Sequence, residues 1–193
     1  MSKQIRRTTE TARTIRMPVL LLATTALLLA AGEAEAQIGF GVEGRAGVTF
    51  PYGDLSDRGA ETGLTVGGEL QANFHPNLTA YVGLHRHAFR CEDDCSMGDN
   101  PRSTGIGAGL KFIFHNPGDV LWWGRGGVVG NTLSTDDGSS DRGIGFEAGV
   151  GADMPIGQRL YLVPNLGFIS HDWGENLKAA FFTLGVGLHY HIN

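Results

Sequence analysis

Three sets of side chains in this sequence have the types and spacing to do chemistry. The first is a group of charges embedded in apolar, glycine-rich segments: Glu43, Arg45, Glu69, Lys111, Glu147 and Asp153. Charges drawn out of water must pair, because an isolated one is costly. Together they imply either a salt-bridged filling or the lining of a narrow solute path. The second set is histidine, as His85-x-His87 and His189-x-His191. Residues two apart share one face of a strand, a spacing that suits a metal ion. A metal site needs several convergent ligands, and the two pairs are expected near opposite ends of their strands, with His171 the better neighbour for His85 and His87. All are read as polar filler, with no metal and no cofactor. The third set is serine. Ser170 and His171 are adjacent and so face opposite ways in a strand, while Ser103, Ser139 and Ser140 fall in connecting segments without an evident partner. No enzyme is expected.

The elements that position these residues alternate apolar with polar or glycine, the period of a strand. Eight such segments are expected: 38–50, 64–74, 78–90, 105–114, 120–129, 143–154, 160–170 and 180–192. In the first, Ile38, Phe40, Val42, Ala46, Val48 and Phe50 oppose Glu43, Arg45 and Thr49. The fifth has no clear sign of face, and Pro164 interrupts the seventh. Connections run short and long by turns. His75-Pro76-Asn77, 115–119 and 155–159 are short; 51–63, 91–104 and 131–142 are long; 171–179 is intermediate. That pattern predicts an all-β, eight-stranded, antiparallel up-and-down transmembrane β-barrel, with tight periplasmic turns and longer outer loops.

The faces follow from composition. Glycine supplies 30 residues, and 29 lie beyond residue 36, many on alternate positions such as Gly105, Gly107 and Gly109. The non-apolar face is too poor in charge to coat a soluble protein, so the apolar face is placed toward lipid and the glycine-polar face in the lumen. Phe50, Tyr52, Phe89 and Trp173 are expected in the outer aromatic girdle, and Phe74, Phe114, Trp122 and Tyr190 in the inner one.

The start of the chain reads differently. Lys3, Arg6, Arg7, Arg13 and Arg16 precede an apolar run from Pro18 to Ala31, and Ala34-Glu35-Ala36 follows. This is the order of a secretory signal, and the run is short of the ~20 residues of a spanning helix. Residues 1–36 are therefore expected as a signal peptide cleaved near Ala36, and 37–193 as one barrel domain. Beyond residue 36 the acidic residues exceed the basic ones by seven, which argues against nucleic acid. Export also implies an oxidising compartment, where Cys91 and Cys95 are expected to form a disulfide. Many acidic residues fall in the long connections. Thr135-Asp136-Asp137-Gly138-Ser139-Ser140-Asp141 lacks the spacing and terminal Glu of a calcium loop and is read mainly as solvated loop.

The signal peptide, the glycine-rich alternation and the last strand, Phe181-Phe182-Thr183-Leu184-Gly185-Val186-Gly187-Leu188-His189-Tyr190-His191-Ile192-Asn193, resemble the OmpA-type and OmpX-like outer-membrane barrel domains. The final strand is similar to the signal read by the barrel-assembly machinery, although it ends in Ile192-Asn193 instead of an aromatic residue. The resemblance implies a bacterial outer-membrane location, contact with outer-membrane lipid and lipopolysaccharide, and a monomer. The expected role is non-enzymatic support of envelope integrity or surface interaction through four outer loops. The rivals are a narrow channel for small solutes and a soluble lipocalin-like binding barrel.

Overall fold

The computed structural model describes residues 38–91, 101–115, 118–136, 138–139, 141–172 and 178–192. Its strands are β1 (Gly39–Tyr52), β2 (Ala60–His75), β3 (Leu78–Cys91), β4 (Arg102–His115), β5 (Leu121–Thr135), β6 (Gly138–Ser139), β7 (Gly143–Pro155), β8 (Leu160–Asp172) and β9 (Lys178–His191). One short helix, α1 (Asp54–Asp57), lies between β1 and β2. Among the described residues no helix is long and apolar enough to cross a membrane, so any crossing falls to the strands.

Every neighbouring pair is antiparallel. β1 pairs with β2 on one side and β9 on the other, and β4 pairs with β5, which closes a barrel of eight long strands. The two-residue β6 is an appendage of β5. The apolar face is the outer one: Leu84 is 70% and Ile144 74% exposed, while Glu43 on the other face is 3% exposed. A soluble barrel would bury those positions, so the lipocalin-like reading is corrected.

The strands extend further at the long-loop end than alternation alone predicts. β2 begins at Ala60, β4 at Arg102, and β5 continues to Thr135, although 51–63, 91–104 and 131–142 read as connections. In these extensions Thr104, Thr132 and Ser134 replace apolar residues on the outer face. The strand period persists there but loses its hydrophobic contrast. Part of the first long connection is α1, entered through Gly53 at φ +61°. Pro164 lies where the β7–β8 pairing lapses, between Gly151↔Asn165 and Met154↔Leu162, since proline has no N–H for the ladder.

Lumen glycines keep the bore narrow. A methyl group on Gly145 would overlap the Ser170 carbonyl oxygen, whereas one on Gly44, which faces outward, meets nothing within 4 Å. Gly145→Ala is expected to lower stability by about 1–3 kcal/mol in urea unfolding from lipid vesicles. Gly44→Ala should stay within about 0.5 kcal/mol of the parent. Equal effects would show that the close approach at Gly145 relaxes freely.

Candidate functional site: the filled lumen

The inward side chains form four tiers. The central tier is ionic. Arg45 Nη2 lies 2.8 Å from Glu43 Oε1 and 2.6 Å from Glu69 Oε2. Arg125 Nη1 reaches the same Glu69 oxygen at 3.0 Å, and its Nη2 reaches Glu147 Oε2 at 3.3 Å. The result is a chain of alternating sign across four strands, Glu43–Arg45–Glu69–Arg125–Glu147. Gln71 Nε2 braces it, donating to Glu43 Oε2 at 2.8 Å and to Glu69 Oε1 at 2.7 Å. The Arg125 guanidinium also stacks on Tyr81, 5.0 Å from the ring centre, a contact that guanidinium planarity favours.

Toward the short-turn end a second ion pair fills the bore. Lys111 Nζ donates to both Asp153 oxygens, at 3.0 and 2.7 Å, and Trp123 Nε1 donates to Asp153 Oδ1 at 2.7 Å. Lys111 also stands 4.7 Å from the centre of the Trp123 ring. The Asp153 carboxylate thus receives three hydrogen bonds, which is what makes a desolvated charge tolerable.

At the long-loop end the lumen is apolar, where a glycine-polar face was expected. Leu55 of α1, Phe89, Val129, Leu133, Ile169 and Phe181 form one buried cluster. Phe181 is fully buried and packs edge-on to Phe89 at 5.2 Å. Phe89, expected in the outer girdle, is therefore inside. Of the other expected girdle residues, Phe50, Tyr52, Phe74, Phe114, Trp122 and Tyr190 are exposed, and Trp173 lies outside the described residues.

Between the ionic tier and the plug lies a polar chain spanning the bore. His85 Nε2 donates to Asn131 Oδ1 at 2.8 Å, and Asn131 Nδ2 donates to Ser103 Oγ at 2.9 Å. Ser103 Oγ is 3.0 Å from His171 Nε2, and His171 Nδ1 is 3.1 Å from the Asp172 carbonyl. The carbonyl only accepts, so Nδ1 of a neutral His171 carries the proton and Ser103 donates to Nε2. Every link then runs in one direction. Ser103, expected in a loop without a partner, sits in β4 with two. Its pairing has the form of a nucleophile and base, but both residues are buried, Ser103 at 0% and His171 at 2% exposed.

His87 is buried between His85 and Phe181, and among the described residues neither of its ring nitrogens has a hydrogen-bond partner. It lines an internal cavity of about 40 Å³ with Arg45, Tyr81, Arg125 and Glu147, room for about one water molecule. His189 and His191 lie at the other end of the barrel, His189 Nδ1 being 3.7 Å from Glu43 Oε2. Among the described residues, no three of His, Cys, Asp and Glu are placed to share a metal ion. Cys91 ends β3, and Cys95 lies outside the described residues, as do residues 1–36.

The structure thus brings Glu43, Arg45, Glu69 and Glu147 into one network and Lys111 with Asp153 into another. Sequence reasoning missed Arg125, the hub of the first network. The signal available for it was register: Arg125 lies opposite Lys111 on β4.

A closed antiparallel barrel with an apolar exterior and an ionic interior defines a transmembrane β-barrel of the outer-membrane type. The sequence matches the model of the outer membrane protein beta-barrel domain over residues 19–190, and the chain belongs to that family. No curated protein matches the sequence. Among solved structures it is similar to Neisserial surface protein A, at 17% identity and a TM-score of 0.65, over 78% of this chain and 96% of that one. It is also similar to the outer membrane protein OprG from Pseudomonas aeruginosa, at 11% identity and a TM-score of 0.54, over 80% and 96% of the two chains. A major outer membrane protein from Thermus thermophilus matches at 15% identity and a TM-score of 0.54, over 81% and 100%. At these identities the likeness is one of fold.

Proposed function

We propose that this chain is a non-enzymatic, non-conducting outer-membrane barrel that supports envelope integrity or surface interaction through its outer loops. The observation that carries this reading is the filled bore. An apolar plug, a hydrogen-bonded chain, a five-member ion network and the Lys111–Asp153 pair follow one another along the lumen. Eight strands leave an interior just wide enough for side chains to fill. What remains for function is the outer rim.

The reading includes export with loss of residues 1–36, insertion as a monomer by the barrel-assembly machinery, and a Cys91–Cys95 disulfide at the outer end of β3. Contact with outer-membrane lipid and lipopolysaccharide is part of it. In planar bilayers the folded protein should show a flat current in potassium chloride at either polarity. Discrete conductance steps would favour the narrow-channel alternative and overturn the closed-lumen reading. In cells lacking the gene, a copy with residues 92–100 shortened should still insert but fail to restore detergent resistance or surface attachment. Full restoration would count against a role for that loop.

A further inference from the structure

The lipid-facing wall carries a feature the lumen does not explain. At the long-loop end, Arg86 and Arg90 on β3 and Arg142 just before β7 are exposed, and Arg102 on β4 is partly so. The alternation of their strands points them outward: Arg86 follows Val82 and Leu84, and Arg142 precedes Ile144 and Phe146, all exposed apolar residues. Arg86 lies opposite Thr104, and Thr104 lies opposite Thr132. Gly143 lies opposite Asn131, which brings Arg142 next to the level of Thr132. The stem of Arg142 lies over Gly130, its Cδ being 3.4 Å from where a Cβ would stand. Arg102 has a carboxylate partner in Asp136 at 3.5 Å. Among the described residues none pairs with Arg86, Arg90 or Arg142.

Lower on the apolar face, an open, mainly apolar groove of about 550 Å³ crosses the strands, from Leu110 and Phe112 on β4 over β5 and Val150 on β7 to Leu166 and Phe168 on β8 and Phe182 on β9. Its floor includes Gly124, Gly126 and Ala148. From Gly124 to Gly130 is six residues, about 20 Å along a strand. With a tilt of about 35–45°, that descends roughly 15 Å, about half of a ~30 Å hydrocarbon core.

We infer that this wall binds one phosphorylated, multiply acylated glycolipid of the outer leaflet, a lipopolysaccharide by class. One acyl chain lies in the groove, and the phosphates sit on Arg86 and Arg142, with Arg90 and Arg102 beside them. Guanidinium groups suit phosphate because they offer paired donors in one plane. The hydroxyls of Thr104, Thr132 and Ser134 lie between the arginines, which suits a sugar headgroup better than a simple phospholipid. This site rests on the outer-membrane reading and deepens its lipid contact. It does not depend on a closed lumen.

The test uses the folded protein in detergent, titrated with bis-phosphorylated lipid A and followed by native mass spectrometry. Dephosphorylated lipid A, phosphatidylglycerol and inorganic phosphate serve as competing probes. Arg86→Gln with Arg142→Gln removes two surface cations and should weaken lipid A binding about thirty-fold. The wild-type affinity should fall with salt, and the dephosphorylated lipid should bind as weakly to the parent as lipid A does to the variant. Gly126→Leu fills the groove from outside, where an added Cβ meets its nearest neighbouring atom only at 3.9 Å, and should weaken lipid A binding without changing the heat-dependent gel shift of a folded barrel. Unchanged affinity in both variants overturns the proposal. So does phosphatidylglycerol or inorganic phosphate binding as tightly as lipid A. A parent protein that shows no heat-dependent shift overturns the barrel reading itself, and this site with it.

Discussion

Arg125→Met is expected to cost about 3–5 kcal/mol of stability, among the largest effects of any single lumen substitution. Methionine keeps much of the volume but removes the cation that holds Glu147 and half of the charge facing Glu69. Breaking a buried ion pair on one side leaves its partner desolvated and uncompensated, which is where a penalty of that size arises. Glu69 retains Arg45 at 2.6 Å, so the greater damage falls on Glu147. The check is urea unfolding of the folded barrel in lipid vesicles, with parent and variant compared at one pH. Adding Glu147→Gln to Arg125→Met should recover part of the loss, with a coupling of about 0.5–3 kcal/mol between the two sites. Arg125→Lys should not restore the parent, because a single ammonium cannot reproduce two separated contacts and the stack on Tyr81. A variant within about 0.5 kcal/mol of the parent would mean that water already reaches the network and screens it.

The ease with which parts of this interior can be read from sequence follows from the strand period. Glu43, Glu69, Glu147 and Asp153 stand among clean alternations, so their parity places them opposite the apolar face. Arg125 does not, because Trp122 and Trp123 put a large aromatic on each face at the start of β5 and Gly124, Gly126 and Gly127 add no contrast. Only pairing with β4, where Arg125 meets Lys111, gives that strand its sign. The outer plug was hidden for a related reason. Phe89 shares a face with His85 and His87, yet an aromatic at a strand end resembles a girdle residue, and it is burial against Phe181 that separates the two roles. Ser103 and Asn131 lie in stretches where the outer face turns polar above the apolar band. There the outward residues are Thr104, Thr132 and Ser134, the hydrophobic contrast between the faces weakens, and the strand reads as a loop. Partners across the bore, such as Ser103 with His171, are 68 residues apart and depend on closure of the barrel, which no local pattern encodes.

Phe181 and Phe182 turn that parity into an experiment, because neighbouring residues with the same side chain face opposite media. Phe181 is fully enclosed, against Phe89 at 5.2 Å and the His87 ring at 4.6 Å. Phe182 is 42% exposed on the outer wall, against Phe168 at 5.0 Å. Phe181→Ala should cost about 3–5 kcal/mol, the range for removing a buried aromatic ring and leaving a cavity, and vesicle unfolding should register it as a lower urea midpoint. Phe182→Ala should cost clearly less, since lipid chains can fill the space its ring vacates. The Phe181 cavity would open the outer plug, yet bilayer current should stay flat, because Arg45, Arg125 and their carboxylates still cross the bore below it. Current should stay flat even when Phe181→Ala is combined with Arg125→Ala, because Lys111, Asp153 and Trp123 still fill the bore toward the short-turn end. Current from Phe181→Ala alone would place the seal in the plug and demote the ion network to a structural brace. Equal costs at positions 181 and 182 would mean that the two faces of β9 are not as different as their surroundings require.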